Sequence, residues 1–195
     1  MIKIILNPFE RYSEKQLVIT GILTTMFGSF LAILFNARFD GVLDLHFVEK
    51  VKTTQPIVDI LIDFICLSTL LFLIGKYINK KTRFIDIIST TLISKIPFYI
   101  LLFQNINSYS FHVTDKLAKS FFTKNYTIEK ITSTEIAFLI SCGILNLAFV
   151  VWSIALLFNG FKIATNAKTT KSVLLFIAVL ILSELISKIL ISKFN

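Results

Sequence analysis

Five stretches of this chain are long enough and apolar enough to be threaded through a hydrocarbon layer, and nothing else in the sequence constrains the fold as strongly. A bilayer core about 30 Å thick takes about 20 mostly apolar residues in a helix. Because no water is present there to satisfy backbone groups, a lone crossing segment has to be helical. The stretches are residues 17–35, 57–75, 84–104, 136–158 and 172–194. The first carries no charge, the second starts after Pro56, and the third is interrupted by Asp86, Lys95 and Pro97. The expected fold is therefore all-α: a single transmembrane domain, residues 1–195, formed by a bundle of five helices with amphipathic interfacial segments.

Composition supports that reading. Hydrophobic residues make up 55% of the 195 and charged residues 16%, against about 45–50% and about 25% in soluble domains. Twenty Phe exclude disorder, and only six Gly and three Pro exclude collagen-like or low-complexity chains. The net charge of +8 is dispersed through short connections between the apolar stretches. Such bases meet anionic lipid head groups, so membrane lipids are the expected partners, with a membrane-protein partner or a second copy of the chain as further possibilities, and no nucleic acid.

Basic residues also orient the chain. Ten lie on the side of the N-terminus, from Lys3 to Lys171, and eight on the other side, from Arg38 to Lys193. The ten sit in much shorter segments, and the tight turn GKYINKKTRF (residues 75–84) carries the densest cluster. By the positive-inside rule the N-terminus is cytoplasmic and the C-terminus lies on the opposite side of the cell membrane.

Two longer connections carry a helical stripe. Phe39, Leu43, Phe47 and Val51 recur at a spacing of four, with Asp40, Asp44 and Glu49 off the stripe, which predicts an amphipathic helix along the outer interface. Val113, Leu117 and Phe121 form a second stripe beside Lys116, Lys119 and Lys124, followed by Phe122 and Tyr126; it fits an interfacial helix, or a helix that meets a soluble partner. Ile2, Ile4, Ile5, Leu6, Phe9 and Tyr12 suit a short cytoplasmic interfacial segment.

Within the first stretch Gly21, Thr25, Gly28 and Ala32 form a continuous line of small side chains. Helices in lipid associate through such close-packing faces, so this line is the expected packing face. The fourth stretch has a lesser version in Cys142, Asn146 and Ser153, with Trp152 and Phe158 placed for an interface.

Ionisable groups at bilayer depth are costly and usually face the bundle or a wet cavity. Asp59 and Asp63 share a helix face and are read either as an acidic vestibule or, as the blander account, as hydrated groups near the end of their stretch. Asp86 and Lys95 stand in a third stretch made polar by Ser89, Thr90, Thr91 and Ser94. Asp59, Asp63, Asp86 and Lys95 together make the candidate intramembrane polar site. Glu184 and Lys188 have the spacing of an intrahelical ion pair.

No pattern names a reaction. His46 and His112 each stand alone in a connection, Cys66 and Cys142 lie inside apolar stretches, and neither a phosphate-binding loop nor a nucleophile elbow is present. The expectation is a protein that is not an enzyme, with no catalytic, cofactor-binding or metal site.

With the stretches and connections in place, the chain resembles the Yip family of membrane proteins, named as partners of Ypt/Rab GTPases, in its short prokaryotic form. The resemblance rests on NPFERY at Asn7–Tyr12 ahead of the first stretch, on five expected spans, and on WSIALLFNGFKIATNAKTTKS at Trp152–Ser172. It implies a helical membrane protein with a cytoplasmic N-terminus. The longer cytosolic head and the Asp-Leu-Tyr-Gly-Pro-type motif of eukaryotic relatives have no counterpart here, so a trafficking role is not carried over. The leading expectation is a non-enzymatic integral membrane protein that organises lipids or protein partners. The alternative is a small transporter or channel-like subunit with an acidic path for cations or protons.

Overall fold

A computed structural model describes residues 5–122 and 131–194. Helix α1 spans Glu14–Leu34 and opens with a reciprocal capping box, in which Ser13 Oγ accepts from Gln16 N and Ser13 N donates to Gln16 Oε1 at 3.0 Å. Asn36, in the left-handed region at φ 51°, turns the chain out of α1. Two short antiparallel strands follow, β1 (Ala37–Gly41) and β2 (Asp44–Phe47). Helix α2 is Gln55–Ile78, with Pro56 in its first turn. The third apolar stretch is divided into α3 (Phe84–Ser94), α4 (Ile96–Leu101) and a 3-10 segment (Leu102–Ser108) that leads into α5 (Tyr109–Phe122). Helix α6 (Ser133–Thr165) starts in a second capping box made by Thr132 and Glu135, and α7 (Thr170–Phe194) completes the described chain.

The all-α class holds, and among the described residues five helical stretches are long and apolar enough to cross a membrane, the third being Phe84–Phe121 taken across its breaks. Helix α2 packs along α7, α3 packs between α1 and α6, and α4 continues the contact with α6. Two sizeable buried clusters result. One joins Leu31 and Ala32 of α1 to Phe98 and Tyr99 of α4 through Phe39 of β1; the other joins Leu67 and Leu71 of α2 to Leu157 and Phe161 of α6 and to Phe176 of α7. The expected packing face of α1 is where α1 meets the third stretch. A Cβ on Gly21 would lie 2.5 Å from Leu92 Cβ, one on Gly28 would overlap the Tyr99 ring, Ala32 is fully buried, and Thr25 Oγ1 pairs with the Tyr99 hydroxyl at 3.2 Å.

The structure corrects two expectations. The amphipathic helix expected over residues 39–51 is the β1–β2 hairpin. Every second residue of β1 is buried, Ala37 and Phe39 completely, and the hairpin is inserted between α2 and α7 rather than laid along a surface. A spacing of four is a multiple of the strand period of two, so the Phe39, Leu43, Phe47 stripe fits a strand as readily as a helix. The third stretch is not one continuous helix. Pro97 has no N–H to give to the Ile93 carbonyl, so the ladder breaks at Lys95. Phe98 N turns to Lys95 O at 3.0 Å, and the freed Ser94 carbonyl accepts from Ser153 Oγ of α6 at 2.6 Å.

The stripe of Val113, Leu117 and Phe121 does lie on a helix, α5, while Lys124 and Tyr126 fall outside the described residues. Ile2 and Ile4 also fall outside them, and Pro8–Glu10 form a single 3-10 turn.

Candidate functional site

The end of α2 that follows Pro56 places Asp59 and Asp63 one turn apart on its packed face, and both are fully buried. The hydrated account is therefore corrected. Each carboxylate is instead matched by a cation from another element. Arg38 of β1 grips Asp59 with two bonds, Nε to Oδ2 at 2.6 Å and Nη2 to Oδ1 at 3.0 Å. The hydrogen bond to Asp59 raises the pKa of the Arg38 guanidinium above its ordinary value. Lys95, at the break between α3 and α4, donates to Asp63 Oδ2 and to the Val42 carbonyl at the hairpin tip, both at 2.8 Å. Its ammonium also stands over the faces of Phe39 and Phe98, at 5.8 and 5.5 Å from the ring centroids.

The break explains how a lysine comes to sit there. Where a helix is interrupted inside a packed interior, the local backbone needs polar partners, and a long cationic side chain can reach from the break to a neighbouring helix. Lys95 is only 6% exposed, so its charge is held by Asp63, the Val42 carbonyl and two aromatic faces rather than by water. Asp63 is less fully matched. Its Oδ1 has no hydrogen-bond partner among the described residues.

Glu184 and Lys188 form the expected intrahelical pair, with Nζ and Oε1 3.1 Å apart, but it is not self-contained. Lys188 also reaches Asp44 at 2.8 Å, and Glu184 Oε2 accepts the Leu43 backbone N–H at 2.8 Å. Gly41 permits this approach, since a Cβ there would stand 2.5 Å from Glu184 Oε1. Arg38, Asp40, Asp44 and Lys188 line a cleft of about 440 Å³ beside the hairpin. The hairpin is thus pinned at three points: to α2 by Arg38, to the α3–α4 break by the Val42 carbonyl, and to α7 by the Leu43 amide.

Of the four residues expected to form one polar site, the structure brings Asp59, Asp63 and Lys95 together and leaves Asp86 apart. Asp86 sits in the first turn of α3, bonded to Arg83, which also binds Glu14 of α1. Lys95 pairs with Asp63 and not with Asp86. Arg38 is the functional side chain missed from sequence. The signal for it was the need of buried Asp59 for a counter-charge, read together with the alternation Ala-Arg-Phe-Asp-Gly at residues 37–41. His46 does not stand alone as expected, because its Nδ1 lies 3.3 Å from Asp40 Oδ2. His112 contacts the Phe111 ring edge to face. Among the described residues no group of His, Cys, Asp and Glu could hold a metal ion.

At the other end of the bundle the N-terminal segment is held against α6. Trp152 Nε1 donates to the Ile5 carbonyl at 3.0 Å and Asn159 Nδ2 to the Leu6 carbonyl at 2.8 Å. A Cβ on Gly160 would lie 2.9 Å from Phe9 Cζ. No protein-family model, curated protein or solved structure matches the chain.

Proposed function

We propose that this chain is a multi-pass protein of the cell membrane, of the Yip type and without catalytic activity, whose helix bundle organises lipids or protein partners. The observation that carries the reading is the apolar exterior of helices of spanning length. Leu23, Met26, Phe27 and Phe30 of α1 are each about 60% exposed or more, as are Ile144 and Leu147 of α6. In water, exposed apolar patches of this extent drive association; in a bilayer they are the lipid-facing surface. The N-terminus is assigned to the cytoplasm from the basic short loops, and the C-terminus to the opposite face. The Yip-type part of the reading rests on the sequence resemblance alone. Fractionation tests the reading: the protein should sediment with membranes through an alkaline wash and leave them only in detergent. Recovery in the supernatant would end it.

A second reading, a small transporter using Asp59, Asp63 and Lys95, is favoured by one feature, the unmatched Asp63 Oδ1 beside a broken helix. Both carboxylates are already matched by cations, which opposes an open acidic path. Proton or cation flux into liposomes that is lost in Asp63→Asn would support transport, whereas an absence of flux would exclude it.

A further inference from the structure

The turn that joins α2 to α3 and the turn that joins α6 to α7 meet at one end of the bundle. Gly75 lets them close on each other: a Cβ there would stand 3.0 Å from Thr82 Cγ2 and 3.2 Å from Thr165 Cγ2, and Thr82 Oγ1 donates to the Gly75 carbonyl at 3.0 Å. A cleft of about 700 Å³ opens at this junction, with the buried Thr165 and Ser172 in its lining. Tyr77 and Asn79 line it from the α2 side, and Lys168, Thr169 and Lys171 from the α6–α7 turn and the start of α7. Lys171 ties the two sides together: its Nζ donates to the Tyr77 hydroxyl at 3.3 Å and stands 5.5 Å from the centre of that ring.

Charge points to the occupant. Two lysines line this cleft and no carboxylate does. Residues 64–85 and 136–183, which include both turns, contain no Asp or Glu at all. Lys76, Lys80 and Lys81 add to the basic side, and Lys76 Nζ donates to the Lys80 carbonyl at 2.9 Å rather than to an acid. The carboxylates at the start of α3 and α1, Asp86 and Glu14, are both bonded to Arg83. Inside the bundle the fold matches its cations, Arg38 with Asp59 and Lys95 with Asp63; here it gathers like charges from two distant segments and supplies no counter-charge. A concave surface lined by one sign of charge concentrates the opposite sign. Neutral donors complete the lining. Asn79 Oδ1 accepts the Lys81 N–H at 3.0 Å, which leaves its Nδ2 to donate, and the positive end of the α7 dipole adds to the charge that the lysines already supply.

We propose that this cleft binds a phosphate group, carried by a lipid head group or by a soluble phosphomonoester, between Lys168 and Lys171. Two ammonium groups with amide and hydroxyl donors around them suit a doubly charged tetrahedral oxyanion, which offers more charge and more acceptor oxygens than a single carboxylate. The site goes beyond the membrane reading, which required only a lipid-facing exterior and dispersed bases, and a soluble ligand would not depend on that reading. Each lysine near the anion strengthens binding about five-fold, so the pair contributes about 25-fold.

Calorimetry on the full-length protein in a non-ionic detergent tests the site, with glycerol 3-phosphate and dihexanoyl phosphatidic acid as the two probes at constant ionic strength. At least one of them should bind saturably, at one site per chain. Lys168→Gln with Lys171→Gln, both at exposed positions, should weaken that binding about 25-fold, and Lys168→Arg with Lys171→Arg, which keeps the charge, should retain it. Lys50→Gln with Lys52→Gln removes the same charge from exposed positions outside the cleft and should leave binding unchanged. Similar affinity for both probes supports the site and assigns it to a soluble phosphomonoester; binding of phosphatidic acid alone supports it and assigns it to a lipid head group. No saturable binding of either probe, or equal weakening by the two glutamine pairs, would overturn the proposal and leave the membrane reading standing. Protein that binds glycerol 3-phosphate in this way yet fractionates without membranes would overturn the membrane reading and leave the site standing.

Discussion

Asp59 depends on Arg38, because its two oxygens accept from that one guanidinium in an interior where Asp59 itself has no exposed surface. Breaking a buried pair by removing one partner leaves an uncompensated charge and costs about 3–5 kcal/mol, whereas replacing both partners with apolar side chains is often neutral. Arg38→Met should therefore lower stability by about that amount, and Arg38→Met combined with Asp59→Leu should recover most of the loss; unfolding in mixed detergent measures both. Lys188 provides the contrast. Its side chain is 44% exposed, so Lys188→Met should cost less than about 1 kcal/mol by the same measurement. The sequence showed Asp59, Asp63 and Lys95 as charges inside apolar stretches, since each interrupts one. It could not show how they pair. Arg38 reaches Asp59, and Lys95 reaches Asp63, only after a hairpin and a helix break bring distant parts of the chain together.

Among the elements, α1 was the most legible, because the spacing of Gly21, Thr25, Gly28 and Ala32 has a single structural use, close approach of a neighbouring helix. That neighbour is the third stretch, and the prediction is specific to it. Gly28→Leu must displace the Tyr99 ring and should destabilise by about 1–3 kcal/mol, while Gly143→Leu, where a Cβ meets nothing within 4 Å, should leave unfolding unchanged. The hairpin was misread because four is a multiple of both two and, nearly, 3.6. Its strand signal, Ala37, Phe39 and Gly41 inward with Arg38 and Asp40 between them, is short and is competed with by the longer stripe. Apolar length alone also undersized α6. The Thr132 and Glu135 spacing of a capping box marks its start three residues before the apolar stretch begins.

At the scale of the whole molecule, the charged groups are sorted by position. The buried cations and carboxylates gather where the hairpin enters the bundle, the basic turn at Lys76–Arg83 lies at the opposite end of α2, and the surfaces between are largely apolar. This sorting makes the bundle asymmetric, with a plugged end and a basic end. Site-directed labelling tests that arrangement most directly. With Cys66 and Cys142 replaced by Ala, a cysteine introduced at His46 in the hairpin or at Lys80 in the basic turn is exposed to a membrane-impermeant maleimide in intact cells. The account predicts that position 46 reacts in intact cells and that position 80 reacts only after lysis. Equal reactivity at the two positions in intact cells would contradict it.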